Sequence, residues 1–142
     1  MVVDHEDTND VLQNTFIKVW KGLENFREDS QLYTWLYRIG TNEALTFLAA
    51  QKKRRATSLS DDENNLSNQI KSDPGFDAAK LEWKLQLGIQ SLPEKQRAVF
   101  TLRYYDEMPY QQMSKVLDTS EGALKASYHH AAKKIEEFIL NN

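Results

Sequence analysis

The chain has 142 residues, enough for one ordinary domain or two small ones, and carries a formal net charge of −3 with no cysteine. The missing cysteines exclude disulfides, thiolate metal sites and cysteine nucleophiles. No apolar run approaches the roughly 18 to 20 residues needed to cross a bilayer, and the acidic start MVVDHEDTND is unlike a signal peptide, so a cytoplasmic protein without membrane insertion is expected.

Five glycines, three prolines and runs of strong helix formers point to an all-α fold. Asp4 to Leu23 is the first predicted helix, with Leu12, Phe16, Val19, Trp20 and Leu23 as its apolar stripe and four acids at its start. Those acids fit two readings: they complement the helix dipole, or they form a face that docks on a basic partner. A polar connection, Glu24 to Gln31, leads into a second helix expected from about Gln31 to Arg55. Its buried side is predicted from Leu32, Leu36, Ile39 and Leu48. Tyr33, Trp35 and Tyr37 cannot all face one core, because a helix turns about 100° per residue. Partly exposed rings beside Arg38 and the cationic run QKKRR (Gln51 to Arg55) suit stacking on unpaired bases, and the alternative is that Trp35 and Tyr37 wedge between helices. Gly40 marks a close approach or slight bend.

From Ala56 to Phe76 the chain is rich in serine, asparagine and aspartate and holds the breaker Asp73-Pro74-Gly75, which reads as a flexible acidic linker. Charge is thus segregated along the chain, and a net acidic balance does not by itself argue against nucleic acid. Beyond the linker, Leu81, Leu85, Ile89 and Leu92 form one stripe, and Pro93 restarts a helix whose inner face carries Val99, Leu102 and Tyr105. Tyr110, Met113, Val116 and Leu117 follow, with Pro109 suited to a first helical turn. After the break at Asp118-Thr119, Ser120 is an N-cap for a last helix with Leu124, Tyr128, Ala131, Ile135 and Phe138 on its core side. Its other side offers Lys125, Ser127, His129 and Lys133, as a helix lying in a DNA major groove does. The expectation is two small helical domains, residues 1–55 and 77–142, joined by the linker 56–76, the second a four-helix domain with a helix-turn-helix.

No phosphate loop, nucleophile elbow or metal-spaced cluster is present in the sequence; His129 and His130 point about 100° apart. No catalysis, cofactor or metal is expected.

Taken together, the motifs resemble those of the extracytoplasmic-function (ECF) sigma factors of bacterial RNA polymerase. DHEDTNDVLQNTFIKVW, with Asp4, Glu6, Asp7, Gln13, Phe16 and Trp20, is similar to that family's DAEDLVQEVFLRVW. Ser30, the run Thr34 to Ile39 and Asn42 are similar to S…TWLYRIAxN, and Leu92-Pro93, Arg97, Leu102, Tyr110, Leu117, Ser120, Gly122 and Lys125 to LPxxxR…SYxEIAxxLGxSxGTVKSR. The resemblance implies a sigma subunit that confers promoter specificity on core RNA polymerase, with an anti-sigma factor as a further partner. It implies a polymerase-clamp face at Asp7, Asp10, Gln13, Asn14 and Lys18, and a flap contact around Leu92 to Leu102. Contacts with minus-ten promoter DNA are implied for Asn25, Arg27, Ser30, Tyr33, Trp35, Tyr37, Arg38, Asn42, Lys52 and Arg54. Minus-35 contacts are implied for Tyr110, Ser120, Glu121, Gly122, Ala123, Lys125, Ser127, His129 and Lys133.

The chain departs from the pattern in places. Asp118 stands for a glycine, a change a left-handed turn tolerates, and Ser127, His130 and Ala132 stand for arginines, which lightens the grip on DNA. The family's first helix before the DHED signature is expected to be absent, leaving Phe16, Trp20 and Leu36 without a packing partner. Two other readings stay open on the residues: an autonomous helix-turn-helix regulator that dimerises on a palindrome, and a degenerate sigma-like interaction module.

Overall fold

Asp4 opens the first helix by accepting hydrogen bonds from the backbone N–H groups of Glu6 (2.8 Å) and Asp7 (3.1 Å), which caps α1 (His5–Gly22). The computed structural model describes residues 1–27, 31–57 and 77–142. Among them, α1 is followed by a single 3₁₀ turn (Leu23–Asn25), α2 (Leu32–Thr57), α3 (Asp77–Gln90), α4 (Glu94–Tyr104), α5 (Tyr110–Leu117) and α6 (Glu121–Asn141), with no strand. The fold is all-α. Helix α2 runs two residues past its expected end at Arg55, and the remainder of the expected linker, 58–76, lies outside the described residues.

The last four helices share two joined apolar clusters. Val99, Leu102, Met108, Met113, Val116 and Leu124 make one; Ile89, Leu92, Phe100, Ala131 and Ile135 make the other, and Tyr128 packs on both. Met113 and Ala131 are wholly buried, so each methyl group removed there leaves a void that the packed neighbours fill only in part. Between α4 and α5 the chain passes through Glu107 in a left-handed conformation (φ 49°), which lets the Met108 N–H donate to the Leu102 carbonyl at 3.1 Å.

Arg97 fastens the corner between α3 and α4. Its Nη2 donates to the carbonyls of Gln90 (2.7 Å) and Leu92 (3.2 Å), serving acceptors at the end of α3 that the helix leaves open. Its Nη1 reaches the Met1 carbonyl at 3.3 Å, and burial pulls its pKa down, against a smaller opposing pull from Glu94. The arginine of the LPxxxR signature is therefore a structural tie here.

Helix α2 is covered on two sides. Toward α1 it presents Gly40, whose missing Cβ would sit 3.7 Å from Thr15, and Glu43, a buried carboxylate paired with Lys18. Along another side Thr34, Tyr37, Thr41, Ala44 and Leu48 recur at steps of three and four; Tyr37 packs on the cluster of Val99, Leu102 and Met113, and Lys52 lies 3.9 Å from Glu94 of α4.

Several expected inner faces are overturned. Leu12, Phe16 and Trp20 of α1 and Leu23 of the 3₁₀ turn are exposed, Trp20 at 80% and Phe16 at 68%, and the buried residue of α1 is Val11. The reason is that α2 is the one helix packed on α1 among the described residues, and it meets the side carrying Val11, Thr15, Lys18 and Gly22. The uncovered apolar face expected for Phe16, Trp20 and Leu36 is observed. Leu32 and Leu36 are exposed as well, as are Leu81 and Tyr105, whose hydroxyl accepts a hydrogen bond from Gln86 Nε2 at 2.8 Å. Pro93 and Pro109 sit at the N-cap positions rather than inside the first turns, with ψ near the extended range at 145° and 144°.

Two stability outcomes follow. Arg97→Ala is expected to lower the unfolding free energy by about 1.5–3 kcal/mol, since it removes charge-assisted hydrogen bonds to carbonyls in a half-buried corner. Trp20→Gln is expected to shift it by less than about 0.5 kcal/mol, because that side chain is mostly in water. Urea titrations followed by far-ultraviolet circular dichroism measure both.

Candidate nucleic-acid and polymerase interfaces

Helices α5 and α6 are joined by three residues, Asp118 to Ser120, and each supplies large side chains to the common core: Met113 and Val116 from α5, Leu124 from α6. Asp118 takes the left-handed conformation (φ 50°, ψ 50°) and its N–H donates to the Ser114 carbonyl, so aspartate does the work usually given to glycine. Thr119 N–H donates to the same carbonyl at 3.3 Å. Ser120 Oγ accepts from the Ala123 N–H at 3.2 Å and starts α6. The product is a helix-turn-helix whose second helix is free on its outer side.

That outer side is a strip of Gly122, Lys125, Ala126, His129 and Lys133, all exposed and spaced to share one helix face. At Gly122 an added Cβ would meet nothing within 4 Å, so no contact within the protein requires glycine there. Glu121 and Ala123 are exposed in the first turn, while Ser120 is engaged in capping. Ser127 is not brought to this strip: it is half-buried, about 160° around the helix from Lys125. Ala126, which the strip includes, was missed because alanine carries no polar signal. His129 and His130 have ring centroids 6.0 Å apart at 61°, and no group of three metal-binding side chains occurs among the described residues.

Tyr110, the first residue of α5, lies at one edge of the strip. Its ring has Arg103 Cζ 4.9 Å and Lys125 Nζ 5.7 Å from its centroid. Arg103 carried no sequence signal, since α4 and α6 meet at this point through the tertiary fold.

The sites expected on α1 and α2 are less unified. Asp7, Asp10, Asn14 and Lys18 share one side of α1, but Lys18 is occupied by Glu43, and Gln13 projects about 100° from Asn14 toward the Trp20 side. Tyr33 and Tyr37 pack with their rings tilted at 45° and centroids 4.6 Å apart. Their hydrogen bond, with burial adding to it, pushes the Tyr37 phenol up to about 12. Tyr37 packs against the C-terminal core, so this ring is not free to meet a base in the arrangement described. Trp35 faces elsewhere, packed on Phe26 at 5.0 Å and against the bare backbone of Gly22, where an added Cβ would lie 3.1 Å from the indole. The structure divides the aromatic run: Trp35 and Tyr37 wedge against neighbouring elements, and Tyr33 is exposed. Asn25, Arg27, Arg38, Asn42 and Arg54 are exposed, and Lys52 is exposed but engaged with Glu94. Ser30 lies outside the described residues.

Two grooves flank these surfaces. One, of about 350 Å³, is lined by Phe100, Tyr104, Tyr128, Ala132, Ile135 and Ile139, with the Phe100 ring stacked near both tyrosines. The other, of about 600 Å³, separates α2 from α4 and is edged by Lys52, Lys53, Glu94 and Lys95. The flap contact expected around Leu92 to Leu102 cannot use Leu92, Ala98, Val99 or Leu102 as contact side chains, because they are buried in the core.

Residues 1–54 match the Sigma-70 region 2 family and residues 83–135 match Sigma-70 region 4. The chain is 33% identical over 141 residues to the ECF RNA polymerase sigma-E factor of Escherichia coli K12, covering 94% of this chain and 74% of that protein. It is 31% identical over 145 residues to the same factor of Haemophilus influenzae, covering 96% and 77%. Among solved structures, the sigma factor RpoE in complex with the anti-sigma factor NepR from Bartonella quintana has a TM-score of 0.67 at 18% identity, covering 97% of this chain and 84% of that one. CnrH in complex with the cytosolic domain of CnrY also has a TM-score of 0.67, at 22% identity, covering 99% and 75%. Two region matches in the order found in sigma factors, on an all-α chain that ends in a helix-turn-helix, place it: this chain belongs to the ECF sigma factors, the subunits that direct RNA polymerase to promoters.

Proposed function

We propose that this sigma factor divides promoter recognition between two helical units, residues 1–55 and 77–142, connected by 56–76. The observation that carries the division is the helix-turn-helix with its outward strip of Gly122, Lys125, His129 and Lys133, set within the stretch that matches region 4. On this reading α6 enters the major groove of the minus-35 element. Lys125 supplies a contact to base edge or phosphate, while Tyr110, Ser120, Glu121 and Ala123 lie at the DNA-facing end; Ser127 is left out.

The first unit serves minus-ten recognition and clamp binding. Asp7, Asp10 and Asn14 form the clamp face, with Gln13 at its margin and Lys18 holding α1 to α2. Exposed Asn25, Arg27, Arg38, Asn42 and Arg54 meet the separated strand. Extruding a base costs a few kcal/mol, which ring stacking and phosphate contacts offset. Trp35, wedged on Phe26, holds that surface in shape. Because Tyr37 and Lys52 are engaged with the second unit, use of both DNA contacts at once requires the two units to part. Core polymerase, by holding each unit at its own site, supplies that separation and converts two weak contacts into one specific one.

The groove lined by Phe100, Tyr104, Tyr128 and Ile139 is an open apolar surface beside α4, and we assign the flap contact to it in place of Leu92 to Leu102. The protein acts in the cytoplasm with core polymerase and promoter DNA, without chemistry of its own, and an anti-sigma factor restrains it. Among the described residues no helix is long and apolar enough to cross a membrane.

Run-off transcription with core polymerase tests the reading. A full-length product from promoters selected for this factor, lost when either promoter element is scrambled, is expected; no promoter-dependent product sinks it. Lys125→Ala is expected to lower discrimination between matched and mismatched minus-35 elements by about 1 kcal/mol, roughly five-fold. Trp35→Ala is expected to impair strand opening, measured by permanganate reactivity, more than polymerase binding. Trp35→Phe, which keeps a ring on Phe26, is expected to retain most opening, and equal loss in both variants argues against the wedge.

A further inference from the structure

We infer that α1 pairs with α1 of a second copy of this chain, antiparallel about a two-fold axis at Phe16, through the row Leu12, Phe16, Trp20 and Leu23. The product is a reversible homodimer.

Leu12, Phe16 and Trp20 recur at steps of four on α1 and Leu23 follows three residues on, so the four side chains form one line along the helix. They are 47%, 68%, 80% and 50% exposed. Helix α2 covers the side with Val11, Thr15, Lys18 and Gly22, and nothing else among the described residues packs on α1 beyond the 3₁₀ turn that continues it. An aromatic side chain removes roughly 150–250 Å² from water when fully covered, so Phe16, Trp20 and the two leucines offer on the order of 500 Å². A patch of that size is at the upper end of what a monomer exposes, and two copies together reach the roughly 1,000 Å² at which specific association begins. Obligate dimers bury about 2,000 Å² or more, so the pairing is a reversible one between folded copies.

Charge along α1 selects the second copy and its direction. Glu6 and Asp7 lie in the first turn, Asp10 follows, and Lys21 is in the last turn. In an antiparallel pair the helix dipoles oppose, and each acidic start lies beside a basic end. Asp10 and Lys21 differ by about 20° around the helix and therefore share one flank of the row. With Phe16 on the axis, Leu12 of one protomer packs on Trp20 of its partner and Asp10 of one lies beside Lys21 of its partner, each contact occurring twice. Asp10 and Lys21 are exposed, and neither has an ion-pair partner among the described residues. A parallel pair sets Asp10 against Asp10 and Lys21 against Lys21, which like-charge repulsion opposes. The acidic first turns likewise oppose an anionic lipid surface on this face. Asp10 also belongs to the clamp face proposed above, so pairing and polymerase binding compete for it. That consequence rests on the clamp reading; the pairing itself does not.

Sedimentation equilibrium of the 142-residue chain across the micromolar range tests the pairing. The average mass is expected to rise from one copy, 16.5 kDa, to two and to level there. Trp20→Gln alters a side chain that is mostly in water in the single copy, so helix content by circular dichroism is expected to be unchanged while pairing weakens about thirty-fold or more, as loss of a central interface tryptophan does. Asp10→Lys and Lys21→Glu are each expected to weaken pairing about three- to ten-fold at low salt, and the two combined to recover it to within about two-fold. A mass of one copy at every concentration overturns the proposal and assigns the face to a different polypeptide or to lipid. Mass that climbs past two copies without levelling overturns it too, as does pairing unchanged in Trp20→Gln. A combined charge variant no tighter than the single ones overturns the antiparallel arrangement. Core polymerase added to the dimer is expected to release single copies into a one-to-one complex; a dimer that binds polymerase intact overturns the competition at Asp10 alone.

Discussion

The packing of Met113 and Val116 against Leu124, across a left-handed turn at Asp118, is the constraint on which the DNA-reading surface depends. Three nearly inaccessible side chains fix the angle between two helices joined by three residues, and the angle fixes which way the strip on α6 points. The turn itself is held by local hydrogen bonds to Ser114, and the start of α6 by Ser120. An ordinary side chain with a branched Cβ at Asp118 would oppose the positive φ, whereas aspartate tolerates it. Arg97 extends the same rigidity to the far corner by joining the end of α3 to the start of α4.

Helix α2 is built under a different constraint, since it has two partners. Glu43 and Gly40 serve the contact with α1, one by an ion pair and the other by leaving room for Thr15. The side with Thr34, Tyr37, Thr41, Ala44 and Leu48 is buried despite two threonines, and through Tyr37 it touches the C-terminal core. A helix covered on two sides cannot show one clean apolar stripe. The same dual packing makes Tyr37 a structural ring and leaves Tyr33 with an open edge.

Polar groups at the two units differ in how they are satisfied. Lys18 and Lys52 look in sequence like free cations for a partner, yet each already faces a glutamate, Glu43 and Glu94. Lys52 and Glu94 meet largely in water and contribute little to stability, whereas Lys18 meets a buried carboxylate and ties α1 to α2. Arg103 and Lys125 are the opposite case, both within reach of the Tyr110 ring and with no acid within ion-pair distance among the described residues. Such a difference decides which cations a polyanion can use, and charge counts cannot show it.

The sequence by itself determined the helices, their approximate ends, the αL turn at Asp118, the Ser120 cap and the core side of α5 and α6, because these follow from local hydrogen bonding and from a single period of apolar residues. It also carried the two sigma signatures, which lie in short contiguous runs. Tertiary structure alone decided which side of α1 and α2 is covered, which aromatic ring is a wedge, which lysine is already paired, and that Arg103 meets Tyr110 and Lys125. Leu12, Phe16 and Trp20 stay uncovered, and Leu32 and Leu81 are not core, for the same reason: periodicity reports that a face is apolar, but only the number and placement of packed neighbours determine whether anything covers it.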